Sequence, residues 1–524
     1  MKIYGCLGTV FLSLFLSFYS PMGAASTVSD ATASLQARLE NWDVETIWPD
    51  VRKTLSANPH DPELLEIASH IAFHRGEYPE SLELMKEAMK RGGENESRMA
   101  MAQFIEGTIQ VLSTYKRYET GHFIIHLDEG RDGILADYLI DALEKTYRIM
   151  AQYYGFLPKE KVRVELFPDA PAFCLASTLS IRDIEVTGAV GLTKFNKVQL
   201  LSPRALLHGY RWLDAVSHEY MHYLIVKLTS NKAPIWFHEG LSKYEETRWR
   251  DGPTYLSSLY TTLLADAQAK NRLIGFEKME PSLIHLETPE EVQLAYAQAA
   301  SSIEFIVETA GHDGLKAVME RMARSGTKGA GESIKEVLGL EFAQFEEKWK
   351  EFLAGKALQP VAGAMVHRYK VKEGNVDGDR IDLQEIQSLV TRNRAHLGDR
   401  LKERGRMGAA VLEYRRALAE TRDTVPVMKR LSATLIDLDR DEEAMEILER
   451  ILTLAPDHPS AYTQLGWVHL KRNDFNGAKR AFVESIQINP FNPEIHIGLA
   501  NAYAMLGDTV GSARESAIAQ ELVR

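Results

Sequence analysis

The sequence has 524 residues, room for three or four domains. Hydrophobic residues make up 45% and charged residues 26%, which excludes general disorder, collagen-like repeats and a polytopic membrane protein. The 61 Lys+Arg against 73 Asp+Glu give a formal net charge of -12, the opposite of a nucleic-acid binder's basic surplus, and the two cysteines, Cys6 and Cys174, exclude a disulfide scaffold and a four-thiolate metal site.

Residues 1–25 carry Lys2, an apolar run from about 3 to 19, then Pro21, Gly23, Ala24 and Ala25. That is the layout of a secretory signal peptide cut after Ala25, so export to a bacterial periplasm or the medium is expected, with no membrane span after cleavage. An uncleaved N-terminal anchor is the alternative. Cys174 then remains as the single thiol, and its apolar surroundings (PAFCLAS) point to a core cysteine rather than a nucleophile. In the stretch 64–89, Gly76, Tyr78, Ser81 and Ala88 occupy positions that recur in a clearer array near the C-terminus, so 40–112 reads as an N-terminal helical repeat region. His70 and His74 sit four apart there, but the repeat pattern already accounts for them as packing or surface residues.

No period runs through 117–356. Strand-like runs occur at 122–127 (HFIIHL), 162–167 (VRVELF) and 188–201, with an amphipathic helix from about Gly133 to Tyr154 between the first two. The alternation in VRVELF predicts one buried face. Beyond 203 the pattern is almost wholly helical, which argues an α+β domain.

Within this region stands His218-Glu219-Tyr220-Met221-His222. At positions i and i+4 of a helix both imidazoles project from one face and can hold a single zinc ion, with Glu219 beside them to accept a proton from the attacking water. Three protein ligands and one open position are needed. The sequence Trp236-Phe237-His238-Glu239-Gly240 follows a short loop, and a helix–loop–helix turn can return Glu239 or His238 to the two histidines; neighbours on a helix point about 100° apart, so one of them serves. The metzincin layout fails because position 228 is Leu228, and position 243, where thermolysin-like peptidases carry Asp, is Lys243. Asp214, one turn before His218, is a candidate partner for a ligand histidine or simply a helix N-terminal acid.

Residues 357–384 read as a linker, and Asp377, Asp379 and Asp382 in it as solvated acids, since EF-hand spacing is missing. From 385 to 524 the chain repeats every 34 residues: Ala410, Ala444, Ala478 and Ser512 are in phase, as are Gly398, Ser432, Gly466 and Ala500, and Tyr414, Leu448, Phe482 and Ser516. This array resembles the tetratricopeptide repeat, with small residues where paired helices cross, and implies a surface for a protein partner.

The W-F-H-E-G context after H-E-x-x-H resembles the peptidase MA family of gluzincin zinc metallopeptidases, over about 120–350. The resemblance implies an α+β zincin-like metallopeptidase domain at 117–356 with all-α tetratricopeptide-repeat solenoid segments on both sides. It implies Zn2+ held by His218, His222 and Glu239 rather than His238, Glu219 as general base, and Tyr296 as an oxyanion donor, with helix packing as the other role for that tyrosine. By analogy with zincins the strand near 188–201 is the edge that takes an extended peptide. The expected partners are a peptide or protein substrate and a protein bound to the repeats, with no nucleic acid. A non-catalytic repeat scaffold of an envelope assembly with a degenerate zincin-like domain is the rival reading, and hydrolysis of a non-peptide amide a third.

Overall fold

The computed structural model describes residues 30–524 except 251, 253, 254, 325, 328, 365–368, 373 and 375–377. The signal segment, Asp377 and the side chain of Asp379 lie outside the described residues. Among the described residues five helices come first: Asp30–Glu40, Trp48–Ala57, Pro62–Arg75, Tyr78–Gly92 and Glu96–Leu112. Pro62–Arg75 begins on an Asp61 side-chain cap and ends at Gly76, whose φ of 79° lets the chain turn back into Tyr78–Gly92. Ser69 and Ser81 meet where these two helices cross, each hydroxyl bonding to the other residue's main-chain oxygen at 2.7 and 2.8 Å.

The middle of the chain builds one mixed sheet. Strands β1 (Tyr115–Glu119), β2 (Phe123–Asp128), β3 (Val162–Phe167), β4 (Gly191–Lys194) and β5 (Lys197–Leu201) stand in the order β1-β2-β3-β5-β4. β2, β3 and β5 are parallel, and the two edge strands β1 and β4 are antiparallel to their neighbours. Phe123, Ile125 and Leu127 pair in register with Val162, Val164 and Leu166 to form one apolar face, all of it buried. Phe123 meets Tyr220 of the helix Trp212–Thr229 across that face, ring centroids 5.6 Å apart.

The opposite face departs from the single buried face that the alternation predicts. Glu165 is 0% exposed and Lys197 2%. The N-terminal helices cover this side, and the polar groups survive burial because they are paired. Gln199 donates to Glu165 at 3.0 Å, Tyr78 donates to the same carboxylate, and Lys197 donates to the Tyr78 hydroxyl at 3.1 Å while lying 4.3 Å from the Phe73 ring centroid. His74 stacks on Phe195, at the β4–β5 turn, with centroids 3.7 Å apart. Cys174 is half-buried against the core, and burial pushes its thiol up to about 11, so it is a poor nucleophile.

After the sheet the chain is helical. Trp212–Thr229 is buried almost all round and stops at Ser230 and Asn231, both left-handed at φ 52° and 57°. The next helix, Ile235–Glu245, starts after Pro234 with Glu280 accepting from the Ile235 N–H at 2.7 Å. It lies across the long helical segment Pro289–Ala323, which bends at Gly311. Gly240 permits that crossing: a Cβ there would stand 2.5 Å from the Ala299 carbonyl oxygen, a backbone atom that cannot swing away. Gly240→Ala is therefore expected to destabilise the domain by about 3 kcal/mol, read as an earlier unfolding transition; an unchanged midpoint contradicts the close approach.

The segment expected as a bare linker is partly structured. Leu206 and Val371 form a bridge flanked by Leu207 N–H to Lys370 O at 2.9 Å and Lys372 N–H to Ala205 O at 2.7 Å. Asp382 is paired with His208 at 2.9 Å rather than solvated, because the helix Gly378–Glu385 docks there and sends Leu383 into the repeat core. Seven further helices, from Leu389–Glu403 to Pro493–Met505, and a closing helix Thr509–Val523 form the C-terminal array. The 34-residue pattern has a direct cause here: Gly398 lies under the Tyr414 ring and Gly466 under the Phe482 ring, where a Cβ would come within 2.4 and 2.5 Å.

Candidate metal centre

Two helices in a row supply the chemistry. Trp212–Thr229 carries His218, Glu219 and His222, and Ile235–Glu245 returns antiparallel to it with Glu239. Glu239 Oε2 lies 3.4 Å from His218 Nε2 and 3.6 Å from His222 Nε2. Among the described residues, His218, His222 and Glu239 are the one group of three or more His, Cys, Asp or Glu side chains that can hold a metal ion, their donor atoms lying within 4.8 Å of one another. His238 is not in it; its ring sits 5.6 Å from that of His222, and burial followed by the nearby His222 lowers its pKa to about 3. His70 and His74 are likewise outside it.

The donor set fits zinc in three respects. Two imidazoles and one carboxylate are the ligands of a catalytic zinc site that keeps one position open. Each imidazole has its far nitrogen engaged, His218 Nδ1 with Glu246 Oε2 at 3.3 Å and His222 Nδ1 with Ser242 Oγ at 3.2 Å, so both Nε2 atoms are turned inward. Glu239 Oε2 is buried with no hydrogen-bond partner, an acceptor awaiting a cation. Burial alone would lower the pKa of His218, but the carboxylates of Glu239 and Glu246 on either side hold it up at about 9. Burial opposes ionisation of Glu239 too, and the two imidazoles overcome it, holding that carboxyl well below its ordinary value.

Glu219 points to the edge strand. Thr193 Oγ1 on β4 is 2.8 Å from both the Glu219 main-chain oxygen and its Oε2. The space for this carboxylate exists because position 191 is glycine: a Cβ there would lie 2.6 Å from Glu219 Oε1. Burial pushes the Glu219 carboxyl up, against the pull of the two histidines. Tyr296, half-buried on Pro289–Ala323, has its ring 6.4 Å from that of His218, and its hydroxyl pKa is raised by burial and then by the Glu239 charge.

Asp214 does not touch His218. It is buried and accepts from Trp249 Nε1 at 3.0 Å, Arg250 Nε at 2.7 Å and Arg250 Nη2 at 2.6 Å. The outer partner of His218 is Glu246 instead, itself gripped by Lys243 Nζ at 2.6 Å. The signal for it was periodic: Glu239, Ser242, Lys243 and Glu246 fall at i, i+3, i+4 and i+7 on one helix face. Glu246→Gln is expected to weaken zinc binding about tenfold by chelator competition; an unaltered affinity contradicts this role.

The fold and this cluster define a mixed α/β domain with a candidate metal centre, followed by helical repeats. Residues 150–355 match the Peptidase MA superfamily, and 430–458 and 463–517 match tetratricopeptide repeat families, so the chain carries a Peptidase MA superfamily domain and C-terminal tetratricopeptide repeats. The first suggests a metallopeptidase and the second protein binding. No curated protein matches the chain. Among solved structures, MamA (41-end) from Desulfovibrio magneticus RS-1 is 20% identical over 28% of this chain and 85% of its own, with a TM-score of 0.25. A thermophilic TPR protein of Thermus thermophilus is 22% identical over 25% of this chain and 74% of its own, with a TM-score of 0.24. No helix among the described residues is long and apolar enough to cross a membrane.

Proposed function

We propose that this protein is an exported zinc-dependent metallopeptidase of the HExxH gluzincin type, working in the bacterial periplasm or medium behind a cleaved 1–25 signal. The observation that carries the reading is the convergence of His218 Nε2 and His222 Nε2 on Glu239 Oε2, a buried oxygen with no hydrogen bond. In this reading the zincin-like domain spans 117–356, 357–384 joins it to a repeat array at 385–524, and the N-terminal helices at 40–112 are a degenerate repeat block.

His218, His222 and Glu239 would hold the zinc, which would supply Lewis acidity to polarise a peptide carbonyl and activate a water for attack. Glu219, oriented by Thr193, accepts a proton from the attacking water and returns it to the departing amine. Tyr296 offers its hydroxyl to the oxyanion, a role suited to a phenol that stays protonated beside Glu239. An extended substrate would add to the edge strand β4, whose Thr193 bonds to Glu219. The repeats offer a second surface: a shallow, open depression of about 540 Å³ is lined by Ile436, Trp467, Leu470, Lys471 and Asn501, all on first helices of successive pairs. It would hold a peptide or protein partner.

The test is a mixed-peptide digest with native, chelator-stripped and zinc-restored protein. Cleavage lost on stripping and regained with one equivalent of zinc is expected. Equal cleavage by the stripped protein contradicts the reading, and zinc uptake without cleavage of any peptide turns it toward a non-catalytic scaffold.

A further inference from the structure

Both helical blocks are bonded to the helix that carries His218 and His222. At its C-terminal end Lys227 donates to Glu45 Oε2 at 2.6 Å and to the Trp42 carbonyl at 3.1 Å. At its N-terminal end the partners come from the C-terminal repeats. Tyr210 N–H donates to Ile488 O at 3.0 Å, Trp212 N–H to Gln487 O at 3.1 Å, and the Trp212 indole to Ile486 O at 3.1 Å. First-turn N–H groups have no acceptor within their own helix, so the repeat loop supplies one. Gly209, at φ 76°, lets the two backbones touch: a Cβ there would stand 2.2 Å from Ile488 O.

Beside this seam runs an ionic network that reaches the histidine helix and the short turn Arg248–Arg250 following the glutamate helix. Arg250 follows the Glu239 helix in the chain and forks onto Asp214, one turn before His218, at 2.7 and 2.6 Å. The fork is buried, with Arg250 10% and Asp214 3% exposed. The remaining Arg250 nitrogen, Nη1, reaches Glu484 Oε1 of the repeats at 3.2 Å. The other oxygen of Glu484 accepts from Arg211 Nη1 at 2.7 Å, and Arg211 Nε donates to Asp457 at 2.5 Å. Glu484 therefore holds together two guanidiniums that would otherwise repel, and one of them, Arg250, ties the turn after the glutamate helix to Asp214 of the histidine helix.

We propose that Glu484 of the repeat array is a positioning residue for the metal site, acting through Arg250 and Asp214 to set the spacing of the two helices that carry His218, His222 and Glu239. The inference rests on the zinc reading above. It makes the repeats part of the catalytic unit, since a three-ligand site tolerates displacements of only about 0.5 Å.

The experiment uses the full chain as wild type, Glu484→Gln and Glu443→Gln, the last removing a carboxylate that pairs with Arg415 inside the array and faces solvent. Zinc affinity is read by chelator competition, and site geometry by the visible spectrum of the cobalt(II)-substituted protein. Expected for Glu484→Gln are a zinc affinity about fivefold to tenfold weaker and a shifted cobalt band, with Glu443→Gln matching wild type. Arg250→Lys, which keeps the charge and loses the fork, should move both readouts the same way. Wild-type affinity and spectrum in Glu484→Gln overturn the proposal, as does equal weakening by Glu443→Gln. A wild type that takes up no zinc fails the metallopeptidase reading itself and this inference with it.

Discussion

Glu219→Gln is expected to lower kcat/KM for peptide cleavage by about 10³–10⁴-fold while the zinc content stays that of wild type. The amide has the size of the carboxylate and can still accept from Thr193 Oγ1, so the contact with β4 and the space above Gly191 are kept. What is lost is proton transfer. Burial raises the Glu219 pKa in the native protein, which strengthens it as a base, and an amide has no comparable basicity. Steady-state kinetics on a fluorogenic peptide, beside metal analysis of the same sample, decide the matter. A variant that keeps a tenth of the wild-type rate would exclude Glu219 as the base.

Glu239→Ala has the second largest expected effect, on the metal itself. Its Oε2 atom is the point to which both Nε2 atoms turn, so its removal leaves two imidazoles and no carboxylate. Outer partners of a zinc site are worth about 10–100-fold in affinity, and a direct ligand is expected to exceed about a hundredfold. His238→Ala is the paired control. That imidazole is adjacent in sequence but outside the cluster, so its loss should leave zinc affinity within about twofold of wild type. Calorimetric or chelator titration of both variants separates them, and the reverse order would make His238 the ligand.

How far the sequence could be read depended on how local each feature is. The pair His218 and His222 is a property of one helix, so spacing alone sets both rings on one side. Glu239 needed a second helix brought back by a tight turn, and Ser230 and Asn231 in left-handed conformations make that turn without a glycine to mark it. Gly240 was visible as part of W-F-H-E-G, yet its reason, the backbone of Ala299, lies 59 residues on and belongs to tertiary packing.

Other features depended wholly on long-range contact. Thr193 is 26 residues before Glu219 and on another element, with no spacing to announce it. The alternation of VRVELF predicts a wet face, and the face is dry because Tyr78, Gln199 and the N-terminal helices pair off its charges. Asp214 has the position of a partner for His218 but is taken by Arg250 and Trp249, residues whose approach no local pattern foretells. The repeats are the opposite case: Gly398 under Tyr414 and Gly466 under Phe482 recur as neighbouring turns of one design, so the 34-residue period is read directly.

In the proposed reading, His218, His222 and Glu239 bind one zinc ion for hydrolysis. Crystals of the zinc-loaded protein, measured above and below the zinc absorption edge, test it most directly. A single strong anomalous peak is expected, bounded by His218 Nε2, His222 Nε2 and the Glu239 carboxylate, with one coordination position facing Glu219. Absence of a peak there in protein supplied with zinc, or a peak held by other residues, would contradict it.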